Sequence, residues 1–221
     1  MINIMCNRYR IDADWCFNAY SQFIKPQPRV TIIQLSFWDS WIANAADWQK
    51  YYGVGGEHYT GIIGTLKAYG ITEDNVDFVN YFADDLMSAK RKILAADMLY
   101  FPGGMPDKAI ARIAEMGITD AIRAFDGIVL GYSAGAMMQL KEYHITPDRA
   151  YPNYGYYKGL GLIDGFEIEV HYENTDVQNA AISRYIAERH KPVYAIGDSG
   201  AIICDGGKID TVGDVRYFSA E

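Results

Sequence analysis

The sequence predicts an α/β protein, a three-layer αβα sandwich whose sheet is mostly parallel and ends in a C-terminal β-hairpin. Three observations lead there. Short β-rich runs recur at residues 30–35, 76–79, 97–101, 128–130, 166–170 and 193–196. Stretches with apolar residues three and four apart lie between most of them, at 12–24, 40–51, 57–68, 106–116, 119–125 and 175–190, several after a Ser, Thr or Asp able to cap a helix. This alternation describes a parallel sheet covered on both faces. The tail differs, because residues 201–204 and 208–212 flank Asp205-Gly206-Gly207, a tight hairpin turn.

Taken in order, Val30-Thr31-Ile32-Ile33 opens the sheet with a β-branched run, and Asp97-Met98-Leu99-Tyr100-Phe101 leads into Pro102-Gly103-Gly104-Met105-Pro106. Pro106 suits a first helical turn. Gly127-Ile128-Val129-Leu130 is a short buried strand, followed by Gly131-Tyr132-Ser133-Ala134-Gly135 and a helix-compatible Ala136-Met137-Met138-Gln139-Leu140. Strand, Gly-flanked turn and helix are the context of a nucleophile elbow, in which the serine is pushed into an unfavourable backbone region with its hydroxyl exposed. Residues 143–161 break the cadence: Pro147, Pro152, Gly155, Gly159 and five tyrosines fit neither period and predict a long irregular loop beside the elbow. The other aromatics, Trp38, Trp41 and Trp48 among them, read as core.

Composition narrows the classes of function. The 221 residues are half hydrophobic, enough for one sizeable core, and no linker, repeat or low-complexity stretch divides them. Twenty basic against 28 acidic residues give a net charge of −8 without a basic stripe, which argues against nucleic acid. No apolar run is long enough for a membrane span, and the first residues lack the pattern of a signal peptide. Cys6, Cys16 and Cys204 are odd in number and match no metal spacing, so they read as buried thiols of a cytoplasmic protein.

A serine nucleophile needs a base, and four histidines are available. His171 follows the strand at 166–170 and so stands at a strand end, the edge where open α/β sheets gather their chemistry. His144, in the Tyr-rich segment, is the second choice; His58 falls in a helical pattern and His190 at a helix C-terminus, where an imidazole meets the dipole favourably. The orienting carboxylate is Asp198, after the strand at 193–196 and Gly197, with Glu173 of His171-Tyr172-Glu173 as the alternative acid. Oxyanion donors are the backbone of Gly103-Gly104 and the Ala134 N–H, with Met105 beside the substrate. No cofactor or metal is called for.

Phe101-Pro102-Gly103-Gly104, Gly131-Tyr132-Ser133-Ala134-Gly135-Ala136, Val170-His171-Tyr172 and Ile196-Gly197-Asp198-Ser199-Gly200-Ala201-Ile202 together resemble the dipeptidase E and cyanophycinase family of serine peptidases. The resemblance implies a class I glutamine amidotransferase-like peptidase domain over residues 1–221, with a flavodoxin-like sheet. It also implies a Ser133, His171, Asp198 triad in that order. The motifs span about residues 100–212, and the first hundred residues agree in pattern only. Two departures bear on specificity. Met105 and Pro106 stand where the family usually has Asn and then Thr or Gln, and Asp198 is a methylene shorter than the family's glutamate. His171-Tyr172-Glu173 is also similar to the His-x-Glu pair of class I glutamine amidotransferases, whose nucleophile is a cysteine.

The expected function is therefore a serine-type hydrolase that cleaves amide bonds of short peptides or amino-acid conjugates through an acyl-enzyme. A diverged small-ligand-binding relative and an acyl-ester hydrolase are the alternatives. No arginine follows His171 before Arg184, and Arg149 lies in the Tyr-rich segment, so a pocket for an N-terminal aspartate is not expected. Met105 and tyrosines of 143–161 are expected to wall the pocket. The expected partner is the small substrate alone; a homodimer is left open.

Overall fold

The computed structural model of the chain describes residues 1–220. The first half comprises β1 (Ile2–Cys6), α1 (Asp14–Tyr20), β2 (Val30–Ile33), α2 (Ala45–Tyr52), α3 (Glu57–Lys67), β3 (Val76–Val79), α4 (Leu86–Ala95), β4 (Met98–Phe101) and α5 (Pro106–Glu115). The second comprises α6 (Thr119–Arg123), β5 (Ile128–Tyr132), α7 (Ala134–Met137), β6 (Glu142–Ile145), β7 (Gly155–Lys158), β8 (Glu167–Glu169), α8 (Asp176–Arg189), β9 (Val193–Asp205) and β10 (Lys208–Phe218). Strands β3, β2, β4, β5 and β1 are parallel neighbours in that order; β9 joins β1 antiparallel, and β10 pairs with β9 as the terminal hairpin.

Side chains alternate across the strands and sort the core into two faces. Ile32, Met98, Tyr100, Ile128 and Leu130 pack with α1 and α3, whereas Ile33, Leu99, Phe101 and Val129 pack with α4, α5 and α6. This is the expected αβα sandwich, with its mostly parallel sheet. The order β3-β2-β4-β5 is the flavodoxin-like 2-1-3-4, and the fifth position is filled by the N-terminal β1.

Four features depart from the sequence reading. Strand β1 was not expected, because Asn3 interrupts its apolar run; in the fold Asn3 is buried and its amide donates to Gln139 at 3.0 Å. Helix α4 was missed because exposed Leu86, Met87 and Leu94 blur a stripe that buries only Ala89 and Ile93; Asp85 caps it through the Ser88 N–H at 2.7 Å. The segment at 143–161 is no irregular loop throughout: β6 and β7 form an antiparallel ribbon, with Tyr143 stacked on Tyr157 at 5.7 Å. Trp48 is buried as expected, but Trp38 and Trp41 are both exposed.

The long β9 decides the site's geometry. Its second half lies along β1, and its first half runs past the sheet's C-terminal edge to pair in parallel with β8. Strand β8 therefore points back toward the end of β1. His171 and Asn7, each just past its strand, meet there: the His171 N–H donates to Asn7 Oδ1 at 2.7 Å.

Candidate active site

Ser133 sits between β5 and α7 at φ 52° and ψ −118°, a region an L-residue occupies only under strain. Its flanking glycines are required by space. A Cβ at Gly131 would lie 2.2 Å from the Gly135 carbonyl oxygen, and one at Gly135 would lie 1.9 Å from that of Phe101. The Ser133 N–H donates to the Cys6 carbonyl at 2.9 Å, which pins the turn to β1. The strained serine is thus held by its neighbours.

Ser133 Oγ lies 2.7 Å from His171 Nε2. His171 is itself at φ 54°. Its N–H is fixed by Asn7, and its carbonyl accepts from Gln178 Nε2 at 2.7 Å. Gln178 belongs to the Thr175 capping box of α8 and also accepts the Glu173 N–H at 2.9 Å. Burial, and then the Arg8 charge, lower the His171 pKa below the ordinary imidazole value. The neutral ring needed to accept a proton is therefore favoured.

No carboxylate hydrogen-bonds or ion-pairs with the His171 ring among the described residues. Asp198 lies within the uninterrupted β9 rather than at a strand end. Its Oδ1 accepts from Asn7 Nδ2 at 3.0 Å and from Arg8 Nε at 2.9 Å. Asn7 thereby links Asp198 to the His171 backbone. Glu173 is exposed and lines the same cavity as His171 without touching its ring. Neither Asn7 nor Gln178 was singled out from the sequence. Recognising β1 would have marked Asn7 as a strand-end residue, and Thr175-Asp176-Val177-Gln178 carries the capping-box spacing.

A cavity of about 440 Å³ opens above the pair, lined by Gly104, Ser133, Ala134 and His171 and by parts of β6 and β8. The N–H groups of Gly104 and Ala134 have no acceptor among the described residues, so both are free for an oxyanion. Gly104 has φ 133°, and a Cβ there would lie 2.0 Å from the Ser36 carbonyl oxygen. Gly103 and Met105 do not line the cavity. Gly103 packs against the elbow, where a Cβ would come within 3.2 Å of Ser133 Cβ. Met105 is buried, gives its N–H to Ser36 at 2.6 Å and touches the Tyr151 hydroxyl through sulfur at 3.6 Å. Of the expected wall, Tyr151 lines the cavity and Met105 does not; the Tyr151 hydroxyl donates to Asp107 at 2.5 Å.

The other histidines have separate places. His144 lines the cavity but is buried between Glu167 and Glu169 and makes no bond to Ser133. His58 is exposed beside Tyr52, and His190 is the left-handed cap of α8.

The family model for peptidase family S51 matches residues 57–212, well over half of the chain. The chain belongs to peptidase family S51. It is a serine peptidase of that family. Two solved structures are similar in fold to this S51 chain. One, described as a "Putative Peptidase E Protein" from Listeria monocytogenes EGD-e, superposes with a TM-score of 0.65 at 19% identity, covering 95% of this chain and 96% of that one. The other, a peptidase from an acI-B1 Actinobacterium, gives 0.62 at 14% identity over 99% and 93%. No curated protein matches the sequence. Among the described residues no helix is long and apolar enough to cross a membrane.

Proposed function

We propose that this peptidase cleaves amide bonds of short peptides or amino-acid conjugates, with Ser133 as nucleophile and His171 as general base and then acid. The observation that carries the reading is the 2.7 Å approach of Ser133 Oγ to His171 Nε2 on a strained elbow at the wall of a cavity. His171 takes the hydroxyl proton as Oγ attacks the carbonyl carbon, and the Gly104 and Ala134 N–H groups receive the oxyanion. The proton then passes to the leaving amine. Water repeats the cycle on the acyl-enzyme and regenerates Ser133.

Asp198 completes the set through Asn7, fixing the backbone that carries His171 and contributing negative charge; it does not hold the ring nitrogen in this geometry. A cavity of about 440 Å³ favours small substrates. Among the described residues no Lys or Arg lines it: Arg184 is paired with Glu188, and Arg149 lies outside the lining. Substrates that begin with aspartate therefore lack a counter-charge. We assign residues 1–221 to one catalytic domain acting in the cytoplasm.

A fluorophosphonate probe tests the nucleophile. Mass spectrometry should find a single adduct on Ser133, lost in Ser133→Ala; an adduct elsewhere, or none, overturns the assignment.

A further inference from the structure

A second cavity, of about 510 Å³, lies between α5, α6 and the paired ends of β6 and β7, and it shares no lining residue with the cavity above Ser133. Ile110, Ile113 and Leu160 give it an apolar wall. Arg123, Lys141, Lys158 and Lys191 also line it, against a single carboxylate, that of Glu142. Glu142 is already taken by Arg189 at 2.6 Å, and Asp164 joins Lys141, at 3.1 Å, to Lys191. The lining and its ion-pair partners thus hold five positive against two negative charges, in a chain whose net charge is −8.

Two of these cations have no carboxylate partner among the described residues. Arg123 donates through Nε to the Leu160 carbonyl at 2.8 Å, which orients the guanidinium and leaves its two terminal nitrogens without an acceptor among the described residues. A guanidinium held in this way presents a planar fork that matches an oxyanion. Lys158 stands opposite Glu142 in the ribbon register, but that carboxylate belongs to Arg189. Asp164 shows the effect of the neighbouring ammoniums on an oxyanion: Lys191 and Lys141, with the Gly165 N–H, hold its carboxyl well below the usual carboxylate range. A surplus of like charge around one cavity repels itself, and an oxyanion placed among the cations relieves that repulsion. The apolar wall adds a gain for any ligand that also carries a hydrocarbon body.

We propose that this cavity is a second ligand site, taking a small organic oxyanion whose charged head lies on Arg123 and Lys158 and whose apolar body packs on Ile110, Ile113 and Leu160. Its volume falls in the range of small-molecule sites. Two heads carry this chemistry, a carboxylate and a phosphate monoester.

Four probes separate the contributions: hexanoate and hexyl phosphate carry both parts, hexanol only the apolar body, and inorganic phosphate only the charge. Binding is followed by NMR titration of the Ile110, Ile113 and Leu160 methyl resonances, which needs no turnover. At least one hexyl oxyanion is expected to bind about tenfold or more tightly than either hexanol or inorganic phosphate, and the tighter of the two identifies the head. Arg123→Gln is expected to remove the advantage over hexanol. Binding of both hexyl oxyanions no tighter than hexanol or inorganic phosphate, an advantage undiminished by Arg123→Gln, or shifts confined to the first cavity at Ile145 and Ile168 overturns the proposal. Should Arg123→Gln fail to fold, Lys158→Gln removes an exposed ammonium that has no ion pair to lose among the described residues, and is expected to weaken hexyl-oxyanion binding about threefold or more; an unchanged affinity overturns the proposal. Failure of Ser133 to take the fluorophosphonate would instead sink the hydrolase reading, because this titration does not depend on it.

Discussion

Ser133 and His171, 38 residues apart, both occupy positive φ, at 52° and 54°, and their side chains meet at 2.7 Å. Each backbone is held in that region by a different neighbour. The Cys6 carbonyl and the crowded glycines fix Ser133, whereas Asn7 and Gln178 clamp His171 on either side. Strain at the pair is thus imposed by surrounding structure, which leaves the two groups already aligned before a substrate arrives.

Relieving that strain should trade activity for stability. Glycine occupies φ 52° without the Cβ penalty, so Ser133→Gly is expected to stabilise the fold by about 1 kcal/mol while abolishing hydrolysis. Urea denaturation measures it. A variant less stable than the native chain would mean that the serine side chain contributes more than its backbone costs.

The lowered His171 pKa gives the proposed mechanism a pH dependence. In that mechanism the ring is neutral when it accepts the serine proton, so the ascending limb of kcat/KM should lie below the ordinary imidazole value of about 6.5. Arg8 contributes to this lowering, and Arg8→Gln should move the limb toward higher pH, less so at high salt because Arg8 is half exposed. For stability the sign follows: the unfolded chain binds the proton more readily, so His171 costs stability as pH falls through this region. A limb that stays put in Arg8→Gln would remove Arg8 from the account.

Asp198 and Glu173 are separated by their links to His171. Asp198 reaches the His171 backbone through Asn7, whereas Glu173 merely shares a cavity with the ring. Asp198→Asn is therefore expected to lower kcat/KM far more than Glu173→Gln and to shift the pH limb downward, since a negative charge near the imidazole is lost. Asn7→Ala leaves the His171 N–H without its acceptor and should cost about 1–3 kcal/mol of stability as well as activity. The reverse ranking of the two acids would point to an amidotransferase-type arrangement.

How much of this was legible in the sequence depended on the range of the interactions. The elbow was, because Gly131-Tyr132-Ser133-Ala134-Gly135 is one contiguous motif whose glycines stand where a Cβ would meet the Gly135 or the Phe101 carbonyl oxygen. His171 was, because it follows a β-rich run. Asn7 was hidden by β1, where Asn3 breaks the hydrophobic pattern and finds its partner 136 residues away in Gln139. The Glu167–His144–Glu169 cluster was hidden too, since the pairing of β6 with β7 lay inside a Pro- and Tyr-rich segment without a clear period. Met105 was misplaced for a subtler reason: its neighbour Gly104 reaches the cavity, but the Ser36 carbonyl takes the Met105 N–H and turns its side chain inward.

The buried cluster should govern stability on the alkaline side. The two glutamates raise the His144 pKa to about 9, outweighing the burial that by itself lowers it. A raised pKa contributes stability that is complete below the unfolded value of about 6.5 and is lost as pH rises through about 9. Burial also raises the Glu167 pKa, which acts in the same direction. Unfolding free energy should therefore fall by on the order of 3 kcal/mol between about pH 6.5 and 9. His144→Gln, which cannot carry the charge, should flatten that slope and destabilise the fold by about 3–5 kcal/mol near neutral pH. A native slope unchanged in His144→Gln would show that other groups set it.

Substrate choice is the last consequence of the charge distribution. An N-terminal aspartate brings a side-chain carboxylate into a cavity already lined by Asp148, Glu169 and Glu173, and by no Lys or Arg among the described residues. The like charges repel, and no guanidinium or ammonium offsets the cost of removing the carboxylate from water. The absence of a paired, hydrogen-bonded counter-charge typically costs about 2–5 kcal/mol, which corresponds to roughly 30- to several-thousand-fold in kcat/KM. Competing Asp-Xaa against the isosteric Asn-Xaa dipeptides isolates this term, because the pair differs in charge and hardly in shape. Asn-Xaa is expected to be cleaved the faster by at least an order of magnitude. Faster cleavage of Asp-Xaa would mean that a cation such as Arg149 swings into the cavity when substrate binds, and the acidic character of the site would then lose its bearing on specificity.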